Sequence, residues 1–383
     1  MTSGVANLAS AFWSRRPWSL MIAVNAAILA FVIVTKATGD YPVIQYTYLL
    51  VTYHFGFAKR ALLGSILALF EDKVRIYEVW IIGGAAWLIT VALFVAVFKR
   101  IFGFAGDRIQ LFVFTFGSPF FFKNFYHTVG FFDIYGCLWA LAVFLLPVNM
   151  LFPLVVAAGC VVLVLIHHLQ FLLYVPVIGF IAVVRYYWLR PFSTIDVMYG
   201  GGGALAVCAA FVICITAGNV PVPPEVLHDY MRQRAADPLT LVNLHIWYST
   251  IGEEIHRTAM MFPKNAPRIP IFLVLIALHW PLIRFMRAIL AGVPNPAHRM
   301  LAIAAMAGIS LGYLCIFVVV YDYARWWCSW AVCMMLVLFA LALLQSRSGK
   351  PQPAFATPQT ERANVALGWT VTAIPRVGLQ IPF

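Results

Sequence analysis

The residues with chemistry to offer fall into a few short clusters. Asp40, in Thr-Gly-Asp-Tyr-Pro just after the first apolar run, is a carboxylate at the rim of a hydrophobic environment. Such a setting raises a carboxylate's pKa toward the range where it can take a proton from a hydroxyl. A turn of this composition also accounts for Asp40 as a solvated loop residue. Asp322 and Arg325, in Tyr-Asp-Tyr-Ala-Arg-Trp-Trp, share one helical face. They read as a helix-end ion pair beside interfacial tryptophans, or the planar guanidinium serves as a two-pronged binder of phosphate. Lys59 and Arg60, in Gly-Phe-Ala-Lys-Arg-Ala-Leu-Leu-Gly, offer the same charge. On a helix adjacent residues diverge, so one of the two would face a site, while as snorkelling anchors both would reach water.

Lys123 and His127, with Asn124 between them, also share a helical face and either line a cavity or mark the water boundary. His167 and His168, followed by Gln170, lie between two short apolar runs with no carboxylate near in sequence. Adjacent imidazoles on a regular helix do not readily share one ion, so hydrogen bonding to a hydroxyl-rich ligand suits them better than a metal. Glu253 and His256 have the spacing of a helical metal pair, but without further ligands a solvated amphipathic helix explains them. Gly200–Gly203 lacks the Gly-Lys-Ser/Thr of a phosphate loop and reads as a site of close helix packing. All seven cysteines fall inside or at the edge of apolar runs, as small core residues without a disulfide framework or Cys-x-x-Cys site.

The elements that must position these groups are set by composition. The chain is 63% hydrophobic and 10% charged, with 31 Phe, 16 Tyr and 12 Trp, which excludes an ordinary soluble surface. The net charge of +12 is scattered singly and in pairs at the ends of apolar runs. That is the pattern of bilayer anchoring and not of a nucleic-acid-binding stripe. Apolar runs at 19–35, 79–98, 109–122, 132–147, 150–166, 169–184, 197–217, 269–289, 300–321 and 326–345 predict an all-α, polytopic transmembrane bundle, each run being judged against the need for about 20 residues. The 109–122/132–147 and 150–166/169–184 pairs are short enough to tilt or re-enter.

Arg15 and Arg16 before the first run suggest an uncleaved signal-anchor. Both termini then lie in the cytoplasm, and every acidic residue except Asp107, Asp196 and Glu361 falls on the opposite face. Ionisable groups near a bilayer are costly, so this one-sided concentration marks the working surface. The expected organisation is a single transmembrane domain over 1–346, with a first outward loop at about 36–78 holding interfacial helices. A large outward loop at about 218–268 is expected to cap a cavity, and 347–383 to form a flexible cytoplasmic tail.

This arrangement resembles the type C glycosyltransferases, multi-spanning enzymes that use polyprenyl-phosphate-linked sugars on the non-cytoplasmic face. Asp40 after the first span, the long interfacial first outward loop, Asp133 in the second outward turn, the short paired helices between 109 and 184, and the late Arg325 carry the resemblance, which covers the greater part of the chain. It implies catalytic carboxylates at Asp40 and Asp133, and substrate-binding roles among Arg325, Lys59, Arg60, Lys123, His127, His167 and His168. The implied donor is a polyprenyl-phosphate-linked sugar and the acceptor a glycan or lipid, at the periplasmic face of a bacterial inner membrane. No metal-ligating set is read from the sequence, and a divalent cation is the one cofactor the resemblance admits. The other readings are a metal-independent polymerase- or ligase-type transferase, an acyltransferase using an outward His, a transporter or flippase, and a non-catalytic membrane assembly subunit. A transporter would carry its ionisable groups at mid-depth, usually with an internal repeat, whereas here they gather at one rim.

Overall fold

The computed structural model describes residues 2–39, 42–189, 193–239 and 244–377. A chain this apolar satisfies its backbone polar groups within each segment, and helices do so wherever proline permits. In order, the helices are α1 (Thr2–Gly39), α2 (Val43–Leu50), α3 (Leu62–Leu67), α4 (Tyr77–Ile101), α5 (Arg108–Phe116), α6 (Phe122–His127), α7 (Asp133–Leu145), α8 (Phe152–Ile166) and α9 (Gln170–Leu173). Then come α10 (Val175–Val183), α11 (Thr194–Thr216), α12 (Pro224–Arg234), α13 (Ile251–Asn265), α14 (Ile269–Leu278), α15 (Trp280–Ala291), α16 (Pro296–Val319), α17 (Tyr323–Arg347) and α18 (Glu361–Ala373).

Among the described residues, six helical stretches are long and apolar enough to cross a membrane: Pro17–Thr38, Tyr77–Ile101, Thr194–Thr216, Ile251–Leu278, Pro296–Val319 and Tyr323–Arg347. Asp133–Leu145, Phe152–Ile166 and Val175–Trp188 are apolar but shorter. By length and composition, the protein is an all-helical, multi-pass membrane protein. Small residues and prolines break several of the ten expected runs, so that among the described residues six stretches of crossing length and three shorter apolar helices stand where ten runs were drawn. Gly117, Ser118 and Pro119 end α5 after nine residues, and the 169–184 run divides at Tyr174, ahead of Pro176. The 269–289 run divides at His279, ahead of Pro281. Conversely, α13, a single 3₁₀ turn and α14 make one helical stretch of 28 residues, so much of the expected polar loop is helix.

Helix α17 is the central post, with an unbroken run of buried residues from Met335 to Gln345 and packing against α4, α7, α10, α15 and α16. Close approach is set by small residues, two of them between helices from the middle of the chain. A Cβ at Gly203 would lie 2.7 Å from that of Ala157, where α11 crosses α8, and one at Gly136 would fall 2.3 Å from the Gln170 amide oxygen. Gly201 and Gly202 face open space, so the glycine run serves helix packing at its ends alone.

A second apolar cluster caps one end of the bundle. It joins Tyr46, Tyr48, Leu50, Val74 and Ile76 to Val220, Leu227, Met231 and Trp247. Backbone bonds stitch the two segments together: Val74 N–H donates to Arg234 O at 2.8 Å, Ala236 N–H to Val74 O at 2.9 Å, and Lys59 N–H to Gly218 O at 2.8 Å. Thus two loops far apart in sequence fold into one layer.

The segment after 346 corrects the expectation of a flexible tail. Asp107 Oδ2 accepts the amides of Phe355 and Ala356, and Arg108 donates to Pro353 O at 3.1 Å. From there α18 runs back into the bundle against α1 and α5. Asn364 bonds to Gln110 at 3.3 Å, and a Cβ at Gly368 would meet Trp18 at 2.8 Å. The Pro/Gln/Thr-rich composition that suggested disorder conceals a helix whose small and apolar residues fit a groove.

Candidate functional site

Between the cap layer and the helix ends lies a cavity of about 970 Å³. The cap supplies Tyr48, Lys59, Arg60, His245, Ser249 and Glu254, while the helices supply an apolar wall that includes Leu172, Phe211, Ile215, Phe272 and Ile316. His167 and His168 at the end of α8 and the Tyr321–Trp326 segment close the remaining side.

Arg325, in the first turn of α17, is firmly held. Its Nε and Nη2 donate to Asp133 Oδ2 at 2.8 and 2.7 Å, and Nη1 donates to Asp322 Oδ2 at 3.0 Å. The guanidinium stacks 4.0 Å from the Phe131 ring centroid and 4.8 Å from that of Trp326. Asp133, at the first position of α7, is 3% exposed, and among the described residues its Oδ1 has no hydrogen-bond partner. Two carboxylates on one guanidinium compensate its charge, so neither an anion clamp at Arg325 nor a proton acceptor at Asp133 is their simplest reading. The ion pair with Asp322 forms, joined by Asp133 from a different helix.

Lys59 and Arg60 both face the cavity because they occupy a turn and not a helix. Arg60 has φ = 64°, the single positive value outside glycine among the described residues. Its Nη1 donates to the Tyr48 hydroxyl at 3.3 Å, and its side chain lies 5.6 Å from the Tyr48 ring centroid. Lys59 donates to Asn219 Oδ1 at 2.8 Å and to Ser249 O at 3.3 Å. Burial, reinforced by the adjacent Arg60 charge, lowers the Lys59 ammonium to about 8. His167 and His168 have ring centroids 5.7 Å apart. Burial, followed by the Arg60 charge, pushes both imidazoles below their ordinary 6.5 and keeps them neutral.

The remaining residues separate. Asp40 lies outside the described residues, four positions before the cavity-lining Ile44. Lys123 is fully buried away from the cavity, donating to Gly117 O at 3.1 Å, Thr372 O at 2.7 Å and Ile374 O at 3.1 Å. His127 meets Arg376. These two therefore belong to the seat of the C-terminal helix and not to the cavity lining. Glu253 closes a capping box, accepting from Thr250 N at 2.8 Å, and the described residues contain no group of His, Cys, Asp and Glu able to hold a metal ion.

Sequence reasoning missed Glu254, His245, Lys264 and Arg268, all of which line the cavity. Glu254 Oε1 accepts from Ser249 Oγ at 2.5 Å and lies 3.8 Å from His245 Nε2 and 3.7 Å from Arg257 Nη1. The signal was a helical stripe, Ile251, Glu254, Met261, Lys264, Asn265 and Arg268, hidden by the prolines at 263 and 267. Comparison with protein-family models, with curated proteins and with solved structures finds no match for this chain.

Proposed function

We propose that this protein is a membrane glycosyltransferase of the type C kind, moving a sugar from a polyprenyl-phosphate-linked donor to a glycan or lipid acceptor at the periplasmic face of a bacterial inner membrane. The lining of the cavity carries the reading. A prenyl-linked phosphate needs apolar wall and cationic groups within one space, and Phe211, Ile215, Phe272 and Ile316 share this cavity with Lys59, Arg60, Lys264 and Arg268. Its volume, about 970 Å³, is at the upper end for small-molecule sites, which suits a sugar together with the first part of a lipid. Much of the cavity is bounded by helix ends and connecting segments, with Met261, Lys264, Asn265 and Arg268 entering from the middle of the 251–278 stretch, whereas a transport site is expected between the midpoints of several helices.

In this reading the acceptor hydroxyl loses its proton to a carboxylate as its oxygen attacks the anomeric carbon. The bond from that carbon to the phosphate oxygen breaks, and the lipid leaves as its phosphate. Two carboxylates are available for the proton: Asp40, from the resemblance, and Glu254, from the cavity wall. General-base catalysis supplies about 10²–10⁴-fold. We expect that loss of product formation for whichever of Asp40→Asn and Glu254→Gln removes the base, at matched membrane abundance. The assay is release of polyprenyl phosphate from a panel of polyprenyl-phosphate hexoses by the protein in native membranes, which retain the glycan and lipid acceptors. Absence of release from every donor, with polyprenyl phosphate bound no better than polyprenol, would refute the reading.

A further inference from the structure

We propose that Arg60, with Lys59 beside it and His167 and His168 lining the same cavity, forms a subsite for a phosphate group. This deepens the transferase reading, on which the identity of the phosphate's carrier rests. Four observations lead to it.

The first is backbone. An L-residue at φ = 64° is held where sterics disfavour it, and such positions persist where the surrounding structure imposes them, characteristically at ligand sites. The second is charge. Among the described residues no carboxylate lies within ion-pair distance of Arg60 or Lys59, and the buried Arg60 Nε has no hydrogen-bond partner. Arg325, another arginine of the cavity lining, is by contrast compensated by Asp133 and Asp322. Adjacent half-buried cations that no carboxylate pairs directly are costly unless a ligand brings a closer counter-charge.

The third observation concerns donors. His167 is 3% exposed, and the buried Nδ1 atoms of both His167 and His168 lack partners among the described residues. Held neutral, each imidazole keeps one N–H to donate and adds no positive charge. The fourth is shape. Lys59 and Arg60 on the 59–60 turn and His167 and His168 at the end of α8 come from separate elements and line the same cavity. A tetrahedral oxyanion accepts from several directions at once, and it supplies the charge these groups lack.

The phosphate can arrive on a lipid or free in solution, and one titration separates the two sources. Wild-type protein in nanodiscs is titrated by native mass spectrometry with a polyprenyl monophosphate, the corresponding polyprenol and inorganic phosphate. The expected result is preferential binding of the polyprenyl monophosphate, weakened about 10- to 100-fold by Arg60→Gln, the loss of a charge-assisted hydrogen bond. Arg60→Gly, which adopts the left-handed backbone without strain, should weaken binding equally and guards against a folding defect in the first variant.

Wild-type affinity in both Arg60 variants overturns the subsite, as does polyprenol binding as tightly as its phosphate. Arg60-dependent binding of inorganic phosphate, with no gain from the polyprenyl chain, keeps the subsite and refutes the lipid-linked donor. Failure of the wild type to bind either phosphate refutes both.

Discussion

At Arg325 the guanidinium is shared between Asp133, whose side chain is 4% exposed, and Asp322, at 28%. Removing one partner of a buried pair leaves an uncompensated charge and costs about 3–5 kcal/mol, whereas a part-exposed pair is worth about 0–1 kcal/mol. Asp133→Asn should therefore lower the unfolding temperature far more than Asp322→Asn, and equal shifts in a fluorescence-detected melt would contradict the geometry. Lys59 makes a prediction in pH. Its ammonium, held by burial and Arg60 at about 8 and not its ordinary 10.5, loses its proton in the folded protein before the unfolded chain does. Between those values the unfolded chain binds more protons, so this residue's contribution to stability rises with pH. Phosphate affinity moves the other way, falling as pH passes about 8 because a cation leaves the subsite. Lys59→Arg, which stays charged, should flatten that fall in a titration from pH 7 to 9.

Among the elements, α18 shows how a weak sequence signal becomes a structural part. Lys123 donates to carbonyls at the C-terminal end of α18, where the unsatisfied acceptors and the negative end of the helix dipole favour a cation. Truncation after Gln352 removes those acceptors and uncovers Trp18 and Met21, which pack beside Gly368. It should lower the unfolding temperature markedly, more than Lys123→Met, which removes charged hydrogen bonds worth about 1.5–3 kcal/mol each but keeps the helix docked. A truncated protein with a wild-type melting curve would mean that α18 is not part of the fold. The α13–α14 stretch teaches the complementary lesson. Pro263 and Pro267 argue locally for a loop, yet Thr258 Oγ1 donates to Val319 O at 2.8 Å and the helix packs along α16, so tertiary contact outweighs local propensity.

For the whole molecule, the expectation drawn from the distribution of charges is that the cap layer and cavity face the outside of the cell. Gly252 is exposed, with open space where a Cβ would stand, and Ser348 is exposed beyond the far end of α17. In a background lacking the exposed Cys208 and Cys315, Gly252→Cys should react with an impermeant maleimide in intact cells and Ser348→Cys only after lysis. The reverse pattern would overturn the orientation. The helical class and the membrane setting were legible in the sequence because both follow from sums over neighbouring residues: hydropathy, charge density and the need to satisfy backbone groups in lipid. The polar groups near the helix ends were legible too, since ionisable residues stand out against an apolar chain. Their arrangement was not. Whether Arg325 is compensated depends on Asp133, 192 positions away, and whether Arg60 shares a cavity with Lys59 depends on a left-handed turn that no local pattern announces. Lys123 and His127 looked like cavity residues until α18 took them as its seat. Composition and periodicity are additive along the chain, but compensation of charge is decided by which side chains meet in three dimensions, and only the packed structure determines that.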